Sequence, residues 1–413
     1  MKFLFYLRNV KTLEKNKSIL YNFTKDLGEG KMENKTNKKN VKKIIIIVLL
    51  SILLASMVII FSFYVGNRDF RYWIDKNFLG KELRDGDLKY IDLEEKETQA
   101  IISYGKNVGI LSNNVFTVYN SSAKKVSEIE VLVSNPIFES DGKYLVLGDK
   151  NKGNIYLINE TSVEWEKNVE GEISQITVNK QGDVGVIIVG TTYKSVIAMY
   201  ESNGEESFKT YLSTTNATDV AISKDGKYLS FVEIDSSGAA LVSNIKTIAT
   251  EKAKNSEQDA IKDRYTLENG EMCVNIKYSN NNLICLADKG AYSLKDGKSN
   301  KIFEIDNLIS FADIELDNHV CNFKENSENS MYELNIYSIN SVKPSVYFVN
   351  GTCKSIYCKE NVVAVNIGSE VHFVNMNGWL IKKYTPQQNI KEILMGDKII
   401  AIVYKDRIDL LEV

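Results

Sequence analysis

The chain has 413 residues, 44% hydrophobic and 25% charged with only 3 Pro, a balance that excludes disordered and collagen-like chains and leaves room for one large domain or two. Its net charge of −3 hides a division: up to Lys43 there are 12 Lys/Arg against 4 Asp/Glu, net +8, and the remainder holds 39 against 50, net −11. An acidic body of that size repels phosphates, so no nucleic-acid partner is expected.

Residues 1–43 read as a basic tail. Gly28-Glu29-Gly30-Lys31 before Met32 is what a purine-rich ribosome-binding site would encode in frame, so translation from Met32 is one reading of the start. Residues 44–65 carry no charge and span roughly 33 Å as a helix, enough for one membrane crossing. The run is longer than the apolar core of a cleavable signal and follows dozens of polar residues, which favours an uncleaved anchor. Lys38, Lys39, Lys42 and Lys43 hold its N-terminal side in the cytoplasm and place the C-terminal domain outside. The Lys-rich tail is expected to contact anionic lipid. Residues 66–87 form a juxtamembrane amphipathic linker: Tyr64, Tyr72 and Trp73 suit headgroup depth, and Phe70, Trp73, Ile74 and Phe78 share one helical face. The same stripe suits packing on the outer domain equally well.

From residue 88 to 413 the texture is all-β, with short Val, Ile, Tyr and Phe runs between Gly, Asn, Asp and Ser clusters. One unit reads Ile137-Phe138-Glu139-Ser140-Asp141-Gly142-Lys143-Tyr144-Leu145, and another reads Val220-Ala221-Ile222-Ser223-Lys224-Asp225-Gly226-Lys227-Tyr228-Leu229; Gly182 turns a third between them. Weaker copies turn near Gly105, Asn281, Asn318, Glu360 and Asp397. Units of about 40 residues with four strands each make a β-propeller. Eight turns favour eight blades, with seven as the alternative. Aromatics of the fourth strands, Trp165, Phe208, Phe303, Tyr347 and Trp379, are expected to anchor one sheet against the next. The last unit supplies three strands, so residues 88–93 are expected to provide the fourth and latch the ring.

The Asp-Gly-Lys-Tyr-Leu turns resemble WD40-type repeats, and the Trp in Glu164-Trp165-Glu166 and Asn377-Gly378-Trp379 resembles that of quinoprotein-type repeats. Over roughly residues 42–413 the chain resembles an uncharacterised family of membrane-anchored β-propellers of Gram-positive bacteria. The resemblance implies an envelope location and brings no catalytic residues. The Gly-His and Trp-Asp landmarks of WD40 repeats are missing. So are the metal-binding set and adjacent cysteines of quinone-dependent dehydrogenases, and no cofactor is expected.

No catalytic or metal site emerges from the sequence. His319 and His372 fall in separate units without zinc spacing, and turn geometry accounts for Asp141 and Asp225. There is no nucleophile elbow, P-loop or calcium loop. Of the five cysteines, Cys273, Cys285 and Cys321 sit among apolar strand residues, where a thiol acts as a small hydrophobe. Cys353 and Cys358, five apart, would face opposite sides of one strand, which argues against a bond between them; an odd count leaves at least one unpaired. Residues 250–267, with Glu251, Lys252, Lys254, Glu257, Asp259, Lys262, Asp263 and Arg264, read as an insertion between units four and five that could form a binding face. Residues 324–329 are a second polar hairpin of that kind.

These features favour a non-catalytic extracytoplasmic scaffold that holds an envelope protein or cell-wall partner. A transmembrane sensor is the second reading. A polysaccharide hydrolase or lyase using channel carboxylates is the third, to be raised by acidic side chains converging in a deep pocket and lowered by an apolar plug.

Overall fold

Gly142 and Gly226 turn the chain with φ of +60° and +69°, the sign that a tight hairpin turn needs and that a side chain disfavours. Such hairpins join antiparallel strands into eight radial sheets. The computed structural model describes residues 37–66, 70, 73–75, 78–84, 88–93, 98–267, 270–326, 331–341 and 343–412. Blades 1 to 7 run over 98–130, 136–168, 172–212, 216–266, 273–304, 309–349 and 355–385. Blade 8 takes three strands from 392–411 and its fourth from Lys89–Asp92.

Each blade's first strand touches the first strands of both neighbours, and blade 8 touches blade 1, so the first strands line a closed axis. Hairpins between first and second strands, and between third and fourth, therefore share one face, here called the hairpin face. The remaining connections form the opposite, crossover face.

The expected latch is present. Lys89–Asp92 pairs antiparallel with the last strand, Ile91 opposite Ile408, and Leu93 N–H donates to Asp406 O at 2.9 Å. Ile91 is buried with Val108 of blade 1 and Ala401, Val403 and Ile408 of blade 8. Just upstream, Glu82–Arg84 adds a fifth strand to blade 7, parallel to its outer strand.

Side chains from adjacent blades make the core. Between blades 2 and 3, Val146, Leu157 and Trp165 meet Ile173, Val186 and Tyr200; Trp165 Nε1–H donates to Ser202 O at 3.1 Å. Phe208 and Phe303 are buried as expected, and Tyr347 is half-buried. Trp379 is not an anchor: it is 42% exposed, because the Asn377-Gly378 turn holds it in a hairpin ahead of the strand Leu380–Thr385. The charged stretch over 250–267 is also placed differently. It lies inside blade 4, where a short helix, Thr250–Lys254, leads into the blade's own fourth strand, Ile261–Thr266. That rim strand buries Tyr265 alone among its six residues, so Lys262, Asp263 and Arg264 disguise it as a loop.

Residues 1–79 are a separate unit. Its helix, Asn37–Gly66, contains one segment, Lys43–Gly66, long and apolar enough to cross a membrane, with none of its most apolar window buried. Ser51 and Ser56 return their hydroxyls to Val48 O and Leu53 O, at 2.8 and 2.7 Å. Rings of Phe63, Phe70, Trp73 and Phe78 follow one another 5.2–6.2 Å apart.

Candidate functional site

Bulges early in the first strands of blades 3, 4 and 5 shift the register around Gln175, Asp219 and Asn275. A bulge re-aims the side chains around it. Here those three polar residues, with Glu139, Lys277 and Glu315, line an axial cavity of about 180 Å³.

Charge in the channel is of mixed sign. Lys277 ion-pairs with Glu315 of blade 6, and 27% of its side chain stays open to the cavity. Burial, then Lys359, pushes the Lys277 ammonium down to about 8. Asp219 accepts from Ile276 N–H at 2.7 Å, yet burial pushes it up to about 7. Asp313 is raised to about 6, again by burial, with Lys277 opposing. Asp141 is raised by burial against the pull of Lys359 and Lys180.

Toward the hairpin face, lysines strap the channel across the ring. Lys180 of blade 3 ion-pairs with Glu360 of blade 7, which holds a positive φ of 48°. Lys359 donates to Ser140 O of blade 2 at 2.9 Å. Lys224 of blade 4 lies 3.3 Å from Asp317 of blade 6 and donates to Asn280 of blade 5 at 3.0 Å. Ion pairs thus cross the channel around its cavity, so it is not an apolar plug, and Asp397, near Lys359 and Lys180, keeps one buried oxygen without a hydrogen bond. Asp141 and Asp225, read from sequence as turn residues, stand at this face. Asp225 bonds Ser223 and the Lys227 N–H, and Asp141 adds to the channel charge.

The crossover face is different. Leu132, Tyr211, Leu241 and Val274 are 53–63% exposed on blades 1 to 5, and Tyr193 lies against Tyr211 with ring centroids 4.7 Å apart. The charged segment after Thr250 lies on the hairpin face, with Lys254 ion-paired to Glu201 of blade 3 and Lys252 2.5 Å from Asp259. Of the second polar hairpin, residues 327–329 lie outside the described residues.

His319 and His372 both sit in strands and stay apart. His319 Nδ1 lies 2.6 Å from Asp317 O. His372 is buried, with Nε2 2.7 Å from Glu370 and Nδ1 3.1 Å from Tyr347 OH. His372 and Lys383 together hold the Glu370 carboxyl down to about 2. Among the described residues, no three His, Cys, Asp or Glu side chains gather as a metal site.

Residues 88–413 match the profile of a family of unknown function, DUF5711. The chain belongs to that family. No curated protein matches this DUF5711 chain. Among solved structures it is similar to the C-terminal WD40 domain of Sif2, at 15% identity and a TM-score of 0.52, covering 79% of this chain and 99% of that one. It is also similar to BamB from Moraxella catarrhalis, at 11% identity, a TM-score of 0.48 and coverage of 79% and 99%. Chaetomium thermophilum Sqt1, solved bound to the N-terminus of ribosomal protein L10, gives 13%, 0.49, and 80% and 100%. At these identities the likeness to Sif2 shows the fold alone.

The polar channel residues of this DUF5711 propeller escaped the sequence reading, although the repeat carries their signal. Gln175-Ile176, Asp219-Val220, Asn275-Ile276 and Asp313-Ile314 each set a polar residue before a buried apolar one at matching places in first strands.

One consequence is measurable. Asp219 keeps its proton up to about pH 7 when folded, whereas an unfolded aspartate loses it near pH 4. The stability tied to that proton is complete below pH 4 and is lost as pH rises to 7. Asp219→Asn keeps the acceptor for Ile276 N–H, so it should raise Tm at pH 8 by about 2–5 °C, on the order of 1–3 kcal/mol, and change it little at pH 4.5. A thermal-melt difference independent of pH would contradict this assignment.

Proposed function

We propose that this chain is a membrane-anchored, non-catalytic propeller that presents its crossover face outside the cell to a protein partner. The arc of exposed Leu132, Tyr211, Leu241 and Val274 carries the reading. Aliphatic and aromatic side chains gathered on one rigid face are what a protein interface uses as its buried anchors. The helix Lys43–Gly66 serves as the anchor, because none of its most apolar window is buried and Ser51 and Ser56 satisfy their hydroxyls within the helix. Lys38, Lys39, Lys42 and Lys43 orient it with the tail inside, against anionic lipid. Against the hydrolase reading, most of the channel carboxylates are tied down: Glu315, Asp141, Glu360 and Asp317 are engaged by lysines and Asp219 by a backbone N–H, which leaves Glu139 and Asp397 outside these pairs.

Photo-crosslinking from these four positions in intact cells tests the proposal. Adducts to one recurring envelope protein are expected from them, and none from Lys143 or Lys227 on the hairpin face.

A further inference from the structure

Cys321 and Cys358 hold their sulfur atoms 3.4 Å apart, although 37 residues separate them along the chain. Cys321 belongs to the second strand of blade 6, His319–Asn326, and Cys358 to the first strand of blade 7, Ser355–Lys359. Both are buried, at 0% and 8% exposure, in the cluster that seals one blade on the next. Asp313 stands opposite Cys321 in the blade 6 ladder, and burial, with the neighbouring Cys321 and Asp313, holds the Cys358 thiol up. The third thiol of that cluster, Cys353, is engaged by Ser355 O at 3.2 Å.

We propose that Cys321 and Cys358 form an oxidative crosslinking site, at which a disulfide joins blade 6 to blade 7 when the chain meets a thiol-oxidising disulfide, whether carried by a protein or by a small molecule. The sulfurs need to approach by about 1.4 Å to reach the bond length of about 2.05 Å, a movement within the reach of side-chain torsions. With the blade 6–7 interface open, solvent takes the Cys358 proton. The Cys358 thiolate attacks the oxidant's disulfide, forming a mixed disulfide and expelling one oxidant sulfur as thiolate. Cys321, on losing its proton, then attacks the Cys358 sulfur and expels the second. Two electrons and two protons pass from the cysteine pair to the oxidant, which ends as two thiols. Burial holds Cys358 as a thiol in the closed ring, so exchange runs while the blade 6–7 interface is open, and closure then protects the bond. Its setting in the cell rests on the outward placement proposed above, because such bonds persist in oxidising compartments. Its chemistry does not. Closing that loop should favour the folded ring by about 10²–10³-fold in the folding equilibrium.

The test equilibrates the full-length reduced chain with oxidised glutathione in mild urea, quenches it with iodoacetamide and maps the peptides by mass spectrometry. The expected product joins the Cys321 peptide to the Cys358 peptide, leaves Cys353 alkylated, and raises Tm by several degrees until dithiothreitol reverses it. Cys358→Ser should abolish the link and the Tm gain, whereas Cys353→Ser should keep both. Five alkylated cysteines, a link that uses Cys353, or an undiminished Tm gain in Cys358→Ser overturns the proposal. Such a failure leaves the outward placement standing, since protease access to the propeller in intact cells reads that separately.

Discussion

A chain that begins at residue 94 should lose the cooperative fold, while one that begins at residue 88 should keep it. The difference is one strand, Lys89–Asp92, and it closes the ring. Without it the outer edge of Arg407–Leu411 is bare, and the pocket that Ile91 fills against Val108, Val403 and Ile408 opens to water. In the full chain Ile91→Asp isolates the same effect. Losing a buried isoleucine costs about 2–5 kcal/mol, and forcing a carboxylate into an apolar site adds several more. Tm should fall by 10 °C or more, with broadening as blade 8 loosens from blade 1. Removing residues 1–84 is the control: the parallel strand Glu82–Arg84 is three residues long, with Glu82 and Leu83 only half-buried, so its loss should cost a few degrees at most. Calorimetry on the four chains decides it, and equal losses from the two deletions ending at 84 and 93 would refute the latch.

The second large effect is expected at Asp409, where blade 8 meets blade 7. Its carboxylate is 2% exposed and accepts from Tyr384 OH at 2.9 Å. Tyr384 and Tyr404 share a 2.5 Å hydrogen bond between their buried hydroxyls. Arg407 Nη2–H donates to Asp409 at 3.3 Å, and Nε lies 3.0 Å from it as an ion pair without hydrogen-bond alignment. The guanidinium also stacks over Tyr404 and over Tyr90 of the latch strand. Asp409→Ala removes the anion but leaves the cation and a buried hydroxyl behind, a loss of about 3–5 kcal/mol. Tyr384→Phe should cost only about 1 kcal/mol. Denaturant titration of Asp409→Ala, Tyr384→Phe and the double variant should show strong non-additivity. Additive losses would mean that the network does not act as a unit.

Much of this architecture was legible because it is written in local chemistry. Asp141-Gly142 and Asp225-Gly226 announce hairpins whatever surrounds them, and Trp165, Phe208 and Phe303 mark outer strands that must bury something. The short last unit pointed to residues 88–93 because a ring needs a fourth strand there. Trp379 and the stretch 261–266 misled because burial is a tertiary property. A tryptophan one residue ahead of its strand is left on a hairpin, and a rim strand holds its place with Tyr265 alone. The channel was the least legible part. Bulges displace Gln175, Asp219 and Asn275 from simple alternation, and Lys180 and Lys277 find their acidic partners on other blades. The crossover arc was equally hidden, since Leu132, Tyr211, Leu241 and Val274 lie on four separate blades and only the ring brings them to one face.

The proposed outward-facing docking role turns on that face. The most direct measurement places a photoactivatable residue at Leu132, Tyr211, Leu241 or Val274 in the full-length chain, with Lys143 and Lys227 as controls, and irradiates intact cells. The same envelope protein should recur in adducts from the first four positions and be absent from the controls. Adducts distributed equally over both faces, or none from the crossover positions in a chain that is folded and in the membrane, would contradict the proposed role.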